Sequence, residues 1–403
     1  MTVPPKLLWA SPNTLLDTAN GAALMVLECL KQLQRRGCEI KILGATVFVN
    51  RQGMAFIADK WPAISQHPGK FVVINRSGLE HRLLVTQRTE RRLMLSYEER
   101  AWFDDYCKML DEDPPDMVLF FDRSLITLLT ASEAKERGIA VGVFLMHGNN
   151  TGERWCRDVD LMLTDTKATA SMYKEREGYQ MVPLGTFVDH IPVRAEKQTR
   201  KNLLFINPIP QKGAIFVIQL AAWLKSNRPD ICLEIVDTRG TWQSLLEKVW
   251  ELLGKTPITL DNVRVTQNTP DMGAVYARAR ILLVPSLWWE SGPRVIVEAL
   301  SNGIPVIGSS SGGVPEVIGD GGIILNFPKK YFQSPFLQPF NETEVSAAAE
   351  AIVELYDNDT LYQSAVLRAK AAFENLHNLE TNSDNLFNTL QAFIATNTKN
   401  VTI

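Results

Sequence analysis

The sequence predicts an α/β protein built from two doubly wound domains with parallel sheets. Three observations carry this reading. Short apolar runs alternate with stretches of helical period on both sides of a polar, non-periodic segment, and strands separated by helices of that length pair in parallel with both faces covered. The length of 403 residues exceeds what one core usually holds. Hydrophobic residues make up 45% and charged residues 22%, ordinary usage for a folded globular protein.

In order, Lys6 to Ala10 is a short apolar strand followed by the polar loop SPNTLLDTANG. Ala23, Val26, Leu27, Leu30 and Leu33 then fall at helical spacing within Ala22 to Arg36, and Gly37 ends that helix. Cys38 to Phe48 is rich in branched residues and reads as the next strand, so the opening is strand, helix, strand. Short strands are expected at Phe71 to Ile74 and Leu83 to Gln87. Ser96 with Glu99 forms a capping box for a helix to about Leu110. Met117 to Phe121 and Ile139 to Met146 are buried strands flanking a helix from Leu125 to Arg137, and Leu161 to Thr164 and Met181 to Leu184 complete this half. A second run begins with strand Leu203 to Asn207 and helix Ala214 to Ser226, then strands Cys232 to Val236, Val263 to Thr266, Ile281 to Val284 and Val306 to Gly308 with helices between. Three helical patterns close the chain. The predicted division is 1–187, a linker at 188–200, and 201–380, with a C-terminal helix of about 381–403 able to pack back on the first domain.

Charge and cysteine usage exclude several function classes. The net charge of −3 is spread over both halves, so nucleic acid is not an expected partner. Five cysteines lack C-x-x-C spacing, which argues against a disulfide framework and a structural zinc site. The amino terminus lacks the pattern of a signal peptide and no run approaches the ~20 apolar residues of a membrane span. These features lead to the expectation of a cytoplasmic protein. Arg82, Arg88, Arg91 and Arg92 form the densest basic cluster. Its plain reading is a solvated surface, and its sharper one a peripheral dock at the inner face of a membrane.

The stretch from Trp288 to Ile324 holds the chemistry. Glu290 and Glu298 bracket a glycine, a proline and an arginine in a loop that leaves one apolar strand and opens a helix. Ligands of parallel sheets sit beyond the carboxyl ends of strands, where helix amino termini present N–H groups and positive dipole ends. Pro293 suits the first helical position, which leaves the amides of Arg294 and Val295 and the Arg294 guanidinium to meet a phosphate or pyrophosphate. Glu298, one turn along on the same face, can accept two vicinal hydroxyls such as those of a ribose. The plain alternative is that Arg294 and Glu298 pair with each other on the surface.

Glu290-Ser-Gly-Pro-Arg-Val-Ile-Val-Glu298, with Val-Pro-Ser before it and Gly-Ile-Pro-Val and Gly312-Gly-Val-Pro-Glu after it, resembles the signature of the family 4 glycosyltransferases, retaining enzymes of the GT-B fold. Asn20-Gly21, His147-Gly148 and Gln211-Lys212-Gly213 extend the resemblance over most of the chain, while Phe48 to Met94 has no counterpart. The resemblance implies two Rossmann-like domains facing a cleft, with a nucleotide-diphosphate sugar as donor, no cofactor, and an acceptor that is a sugar, a lipid or a small molecule. It implies that Glu290 contacts the donor sugar, Glu298 the ribose, and the amides from Gly292 to Val295 the pyrophosphate. Lys212 would neutralise the leaving diphosphate, Gly21 would let backbone approach the phosphates, and His147 would lie under the donor sugar. Where relatives often carry an arginine, this chain has Asn207, and Arg294 is the expected replacement for that charge. No D-x-D sequence is placed to grip a diphosphate through a metal, so none is expected.

The rival readings are another activity on the same fold, such as a sugar-nucleotide epimerase or a phosphorylase, and a non-catalytic nucleotide-binding partner subunit. His67, His81, His190 and His377 have no acidic or cysteine neighbours at ligand spacing and read as bystanders. Trp288 and Trp289 read mainly as packing.

Overall fold

A computed structural model describes residues 4–121, 124–254 and 259–400. Contacts divide the chain into two compact units, Met1–Phe187 with Leu379–Ile403, and Val188–Asn378.

The first unit holds eight strands, β1 Lys6–Ala10, β2 Glu39–Ala45, β3 Phe71–Arg76, β4 Leu79–Leu84, β5 Met117–Phe121, β6 Ala140–Phe144, β7 Leu161–Thr164 and β8 Met181–Pro183. They form one sheet in the order β3-β4-β2-β1-β5-β6-β7-β8. Seven strands run parallel, and the edge strand β3 is antiparallel to β4. The sheet is therefore mixed, where the sequence suggested a parallel one. Ser77 and Gly78, both at positive φ (57° and 84°), make the two-residue hairpin turn between β3 and β4. That turn starts β4 at Leu79, four residues before the expected strand at Leu83 to Gln87.

His81 lies on β4 fully buried, and both ring nitrogens lack hydrogen-bond partners among the described residues. Burial, reinforced by the positive charge of Arg76, lowers its pKa to about 3. The unfolded chain takes up this proton below about pH 6.5, whereas the fold holds the ring neutral, so stability declines as pH falls from there toward 3. His81→Leu is expected to flatten this decline, by about 1 kcal/mol per pH unit below 6. Urea unfolding at pH 7 and pH 5 measures it.

Two further expectations change. The helix Ser96–Glu112 is capped by Glu98 in place of Glu99: Glu98 Oε2 accepts the Leu95 N–H at 2.9 Å and Oε1 the Gln87 N–H at 2.7 Å. Glu99 instead pairs with Arg91 at 2.6 Å, Arg92 with Glu90 at 2.8 Å, and Arg82 makes two 2.7 Å bonds to Asp105. Three of the four arginines of the basic cluster are thus matched by carboxylates, which reduces the excess charge that a membrane dock would use. No helix among the described residues is long and apolar enough to cross a membrane.

The closing helix Leu379–Asn400 belongs to the first unit and packs on helix Gly21–Arg35. Leu386 and Leu390 are fully buried there, and Arg36 bonds to Asp384 at 2.9 Å and Glu380 at 2.8 Å. Positions 401–403 of the expected terminal helix lie outside the described residues.

The second unit has six strands, β9 Asn202–Ile206, β10 Leu233–Val236, β11 Val263–Thr266, β12 Ala279–Val284, β13 Val306–Ser309 and β14 Gly322–Leu325. All pairs are parallel, in the order β11-β10-β9-β12-β13-β14. Numbered from β9, this is the doubly wound order 3-2-1-4-5-6, in which the winding reverses between β9 and β12. β14 was not expected from the sequence, because GIIL is short and follows directly on a glycine-rich turn. The segment 188–200 is packed on this unit and is no free linker: Val188 is buried in its core, and the Ala195 N–H donates to Asn302 Oδ1 at 2.7 Å. Across β9, β10 and β11, the buried Glu234 carboxylate gathers Asn202 Nδ2 at 2.7 Å, Thr266 Oγ1 at 2.8 Å and Arg278 Nη2 at 2.5 Å.

Candidate active site

The winding reversal of the second unit brings two loops together at the carboxyl ends of β9 and β12, the place where open α/β sheets bind ligands. The first loop leaves β9 through Asn207, in the left-handed region at φ 68°, and turns at Pro210–Lys212 into Gly213 and helix Ala214–Asn227. The second runs from Pro285 to Pro293 before helix Arg294–Ser301. Gln211 carbonyl oxygen accepts the N–H groups of Leu287 at 2.8 Å and Trp288 at 3.2 Å. A Cβ on Gly213, whose φ is 80°, would lie 2.0 Å from the Pro285 carbonyl oxygen, so only glycine lets the loops approach this closely.

A third loop, after β13, supports the second from its other side. Ser309 Oγ donates to the Ser286 carbonyl at 2.6 Å, Ser311 Oγ to the Trp288 carbonyl, and the Gly313 N–H to the Glu290 carbonyl at 2.7 Å. Gly312 has φ 55° and passes so close that a Cβ would lie 2.1 Å from the Glu290 carbonyl oxygen. Every second carbonyl from 286 to 290 is thereby fixed, which orients the Glu290 side chain.

Lys212 Nζ forms an ion pair with Glu290 Oε1, joining residues 78 apart in sequence. The same oxygen accepts from Ser286 Oγ at 2.8 Å and Trp288 Nε1 at 2.5 Å. The Lys212 ammonium also lies 5.5 Å from the Trp288 ring centroid, within cation–π range. Trp288 and Trp289 are half-buried rather than core residues, and Trp288 contributes a hydrogen bond that the packing reading missed.

Pro293 caps the next helix in extended backbone (ψ 109°) instead of filling its first position, so Arg294 is the first helical residue, with Val295 behind it and Gly292 in the approach. Arg294 Nη2 lies 3.3 Å from Glu298 Oε1, and Tyr276 donates its hydroxyl to Glu298 Oε2 at 2.8 Å. Arg294 and Glu298 therefore do pair, as the plain alternative held, in a site where the two side chains are only 19% and 10% exposed. Tyr276 is fully buried, and burial together with the Glu298 charge pushes its pKa well above the usual tyrosine range, so it acts as a donor. The Asn207 side-chain oxygen is buried and has no hydrogen-bond partner among the described residues.

Gly21 and His147 lie in the first unit. Gly21 opens helix Gly21–Arg35, whose cap Asn20 accepts the Ala22 N–H at 3.1 Å and the Ala23 N–H at 3.4 Å. His147 follows β6, and its Nδ1 accepts the Asn149 N–H at 3.2 Å. Its loop is strapped to helix Lys167–Glu177: Tyr173 donates to the His147 carbonyl at 2.5 Å, and Arg176 to the carbonyls of Gly148 at 2.8 Å and Asn150 at 2.7 Å. Sequence reasoning did not single out Tyr276, Ser286, Ser309, Ser311, Tyr173 or Arg176. All but Ser286, which bonds Glu290 four residues along the same loop, act through contacts between distant residues that no local spacing announces.

With this geometry in view, residues 189–371, nearly all of the second unit, match the family model described as glycosyl transferases group 1. The second unit is thus similar to the glycosyl transferases of group 1. The MMP alpha-(1->4)-mannosyltransferase of Mycolicibacterium hassiacum is 28% identical over 177 residues, 42% of this chain and 42% of that protein. The match thus spans about two fifths of the curated relative's length. Among solved structures, sucrose-phosphate synthase from Thermosynechococcus elongatus has a TM-score of 0.70 at 12% identity, covering 97% of this chain and 99% of the other. Anabaena HepE in complex with UDP-glucose has a TM-score of 0.67 at 14% identity, covering 96% and 100%. The fold is that of the GT-B glycosyltransferases.

Proposed function

We propose that this protein is a retaining glycosyltransferase that moves a sugar from a nucleotide-diphosphate sugar to a sugar, lipid or small-molecule acceptor. The observation that carries the proposal is the Lys212–Glu290 pair at the winding reversal of a domain matching glycosyl transferases group 1. A cation on one loop and a carboxylate on the next meet the two parts of such a donor. Lys212 neutralises the leaving diphosphate, and Glu290 accepts hydroxyls of the sugar. Glu298, held by Tyr276, takes the ribose. The helix opening at Arg294 presents its positive end to the phosphates. The diphosphate oxygen that leaves can take the acceptor's proton on the same face of the ring, so no carboxylate nucleophile is required. Uridine donors are the first to test, because the similar HepE was solved with UDP-glucose. The test is transfer or slow hydrolysis of UDP-sugars followed by proton NMR of the product anomer. A retained anomer, with turnover unchanged by EDTA, is expected; an inverted anomer defeats the mechanism.

The pairing of Arg294 with Glu298 sharpens one expectation. Arg294→Ala removes the charge at the helix start and one support of the ribose carboxylate together, so turnover should fall about 10²-fold. Asn207→Ala should cost less than about 5-fold, since its side-chain oxygen has no hydrogen-bond partner to lose among the described residues. Steady-state kinetics of both variants decide it, and the opposite ranking would reject Arg294 as the substitute cation.

The rival reading of a non-catalytic nucleotide-binding subunit predicts that the protein binds nucleotide without turnover. His147→Ala separates the two, because a loss of turnover with nucleotide affinity intact has no meaning for a subunit that only binds.

A further inference from the structure

We propose that Trp288 is a positioning residue that keeps the Glu290 carboxylate in place when Lys212 changes partner, an inference that rests on the donor reading above. Three donors converge on one oxygen, Glu290 Oε1: the Lys212 ammonium, Ser286 Oγ at 2.8 Å and Trp288 Nε1 at 2.5 Å. Lys212 must therefore share its single charge between Glu290 and an arriving diphosphate. A diphosphate carries more negative charge than a single carboxylate and offers more acceptor oxygens, so it draws the ammonium away. Lys212 is a flexible point charge and can make that move from its place beside the Trp288 ring, 5.5 Å from the centroid.

Left alone, a largely buried carboxylate that loses its cation would rotate in search of another donor. Here two neutral donors stay on Oε1, and both are anchored. The Ser286 and Trp288 carbonyls are fixed by Ser309 and Ser311 from the third loop, and the Trp288 N–H is fixed by the Gln211 carbonyl from the first. Oε1 thus stays tethered while Oε2 takes the sugar hydroxyl. Donor arrival becomes an exchange of partners: Lys212 passes to the phosphates, and Glu290 is released toward the sugar without losing its orientation. The indole is a suitable tether, being a donor only, so it cannot turn round and compete for the same hydroxyl.

The test uses the full-length protein and Trp288→Phe, which removes the N–H while keeping a ring near Lys212. Ser286→Ala is the parallel variant, and thermal unfolding checks that both fold as the wild type does. UDP and UDP-glucose are titrated into each by calorimetry, and turnover of UDP-glucose is measured. The expected result is UDP affinity within about 2-fold of wild type, because UDP lacks the sugar, together with a fall in kcat of about 10-fold or more. In a double-mutant cycle with Glu290→Gln, Trp288→Phe should add little to the loss already caused, since both act on one carboxylate. Equal kcat in Trp288→Phe and wild type, or full additivity with Glu290→Gln, overturns the inference and leaves the donor reading standing. A wild-type protein that binds none of UDP, GDP, ADP and dTDP and turns over none of their glucose conjugates removes the donor reading and the inference with it.

Discussion

Lys212→Ala is expected to lower turnover of the nucleotide sugar by about 10²- to 10³-fold, the usual loss when one preorganised group facing developing negative charge is removed. The fold should survive, because Glu290 keeps the hydroxyl of Ser286 and the indole N–H of Trp288 as donors. The diphosphate of the bound donor is already charged, but a further negative charge develops on its leaving oxygen as the glycosidic bond breaks, so the loss should fall on kcat more than on donor affinity. Lys212→Arg should recover only part of the rate. A guanidinium keeps the charge, but its larger planar fork places that charge differently from the compact ammonium beside Glu290 and Trp288. Initial-rate measurements with saturating donor check both variants, and a rate within a few-fold of wild type for Lys212→Ala would separate this lysine from the chemistry.

Glu234→Ala is expected to give the largest loss of stability, about 3–5 kcal/mol, the cost of leaving one half of a buried ion pair uncompensated. Glu234 is fully buried and ties together three neighbouring strands, through Asn202 on β9, Thr266 on β11 and the Arg278 guanidinium. Its removal leaves the Arg278 cation and two largely buried polar groups without their acceptor. Burial alone would raise its pKa, but hydrogen bonds from Arg278, Asn202 and Thr266 outweigh burial and the net direction is down. The sign follows: a depressed carboxylate pKa contributes stability above the unfolded value of 4.5 and loses it as pH falls below. Urea unfolding at pH 7 should therefore show the full difference between wild type and variant, and the difference should shrink below about pH 4.

The fold was readable because alternation of apolar runs with helical periods is a strong signal over long stretches. The winding reversal lies between β9 and β12, and five of the six parallel strands of the second unit were legible. β14 was missed because four residues after a glycine-rich turn carry too little pattern. The β3–β4 hairpin was misread for a related reason: the Ser77–Gly78 turn is compact, and strands that pair across it alternate weakly. The site divides along the same line. Glu290 and Glu298 stand out because their spacing along one loop and helix is local, and Lys212 because a glycine follows it at a helix start. Tyr276 and Ser311 are invisible to spacing, since each bonds a residue more than 20 positions away. Glu99 was chosen over Glu98 by counting from Ser96 rather than from Leu95, where the backbone turns. Arg294 shows the limit of one-to-one assignment: the structure gives it the ion pair with Glu298, and its part in phosphate binding rests on the kinetics of Arg294→Ala.

On the proposed function, the loops after β9 and β12 bind the diphosphate of a nucleotide donor, with Lys212 as its cation. Thermal unfolding of wild type and Lys212→Ala with UDP, GDP, ADP and dTDP tests it most directly. A ligand at about 100 times its dissociation constant stabilises the native state by about 2.7 kcal/mol, which raises the midpoint of a domain this size by several degrees, roughly 5–10 °C. One of the four nucleotides is expected to give such a rise in the wild type and a much smaller one in Lys212→Ala. No rise with any of the four, or an equal rise in both proteins, would contradict it.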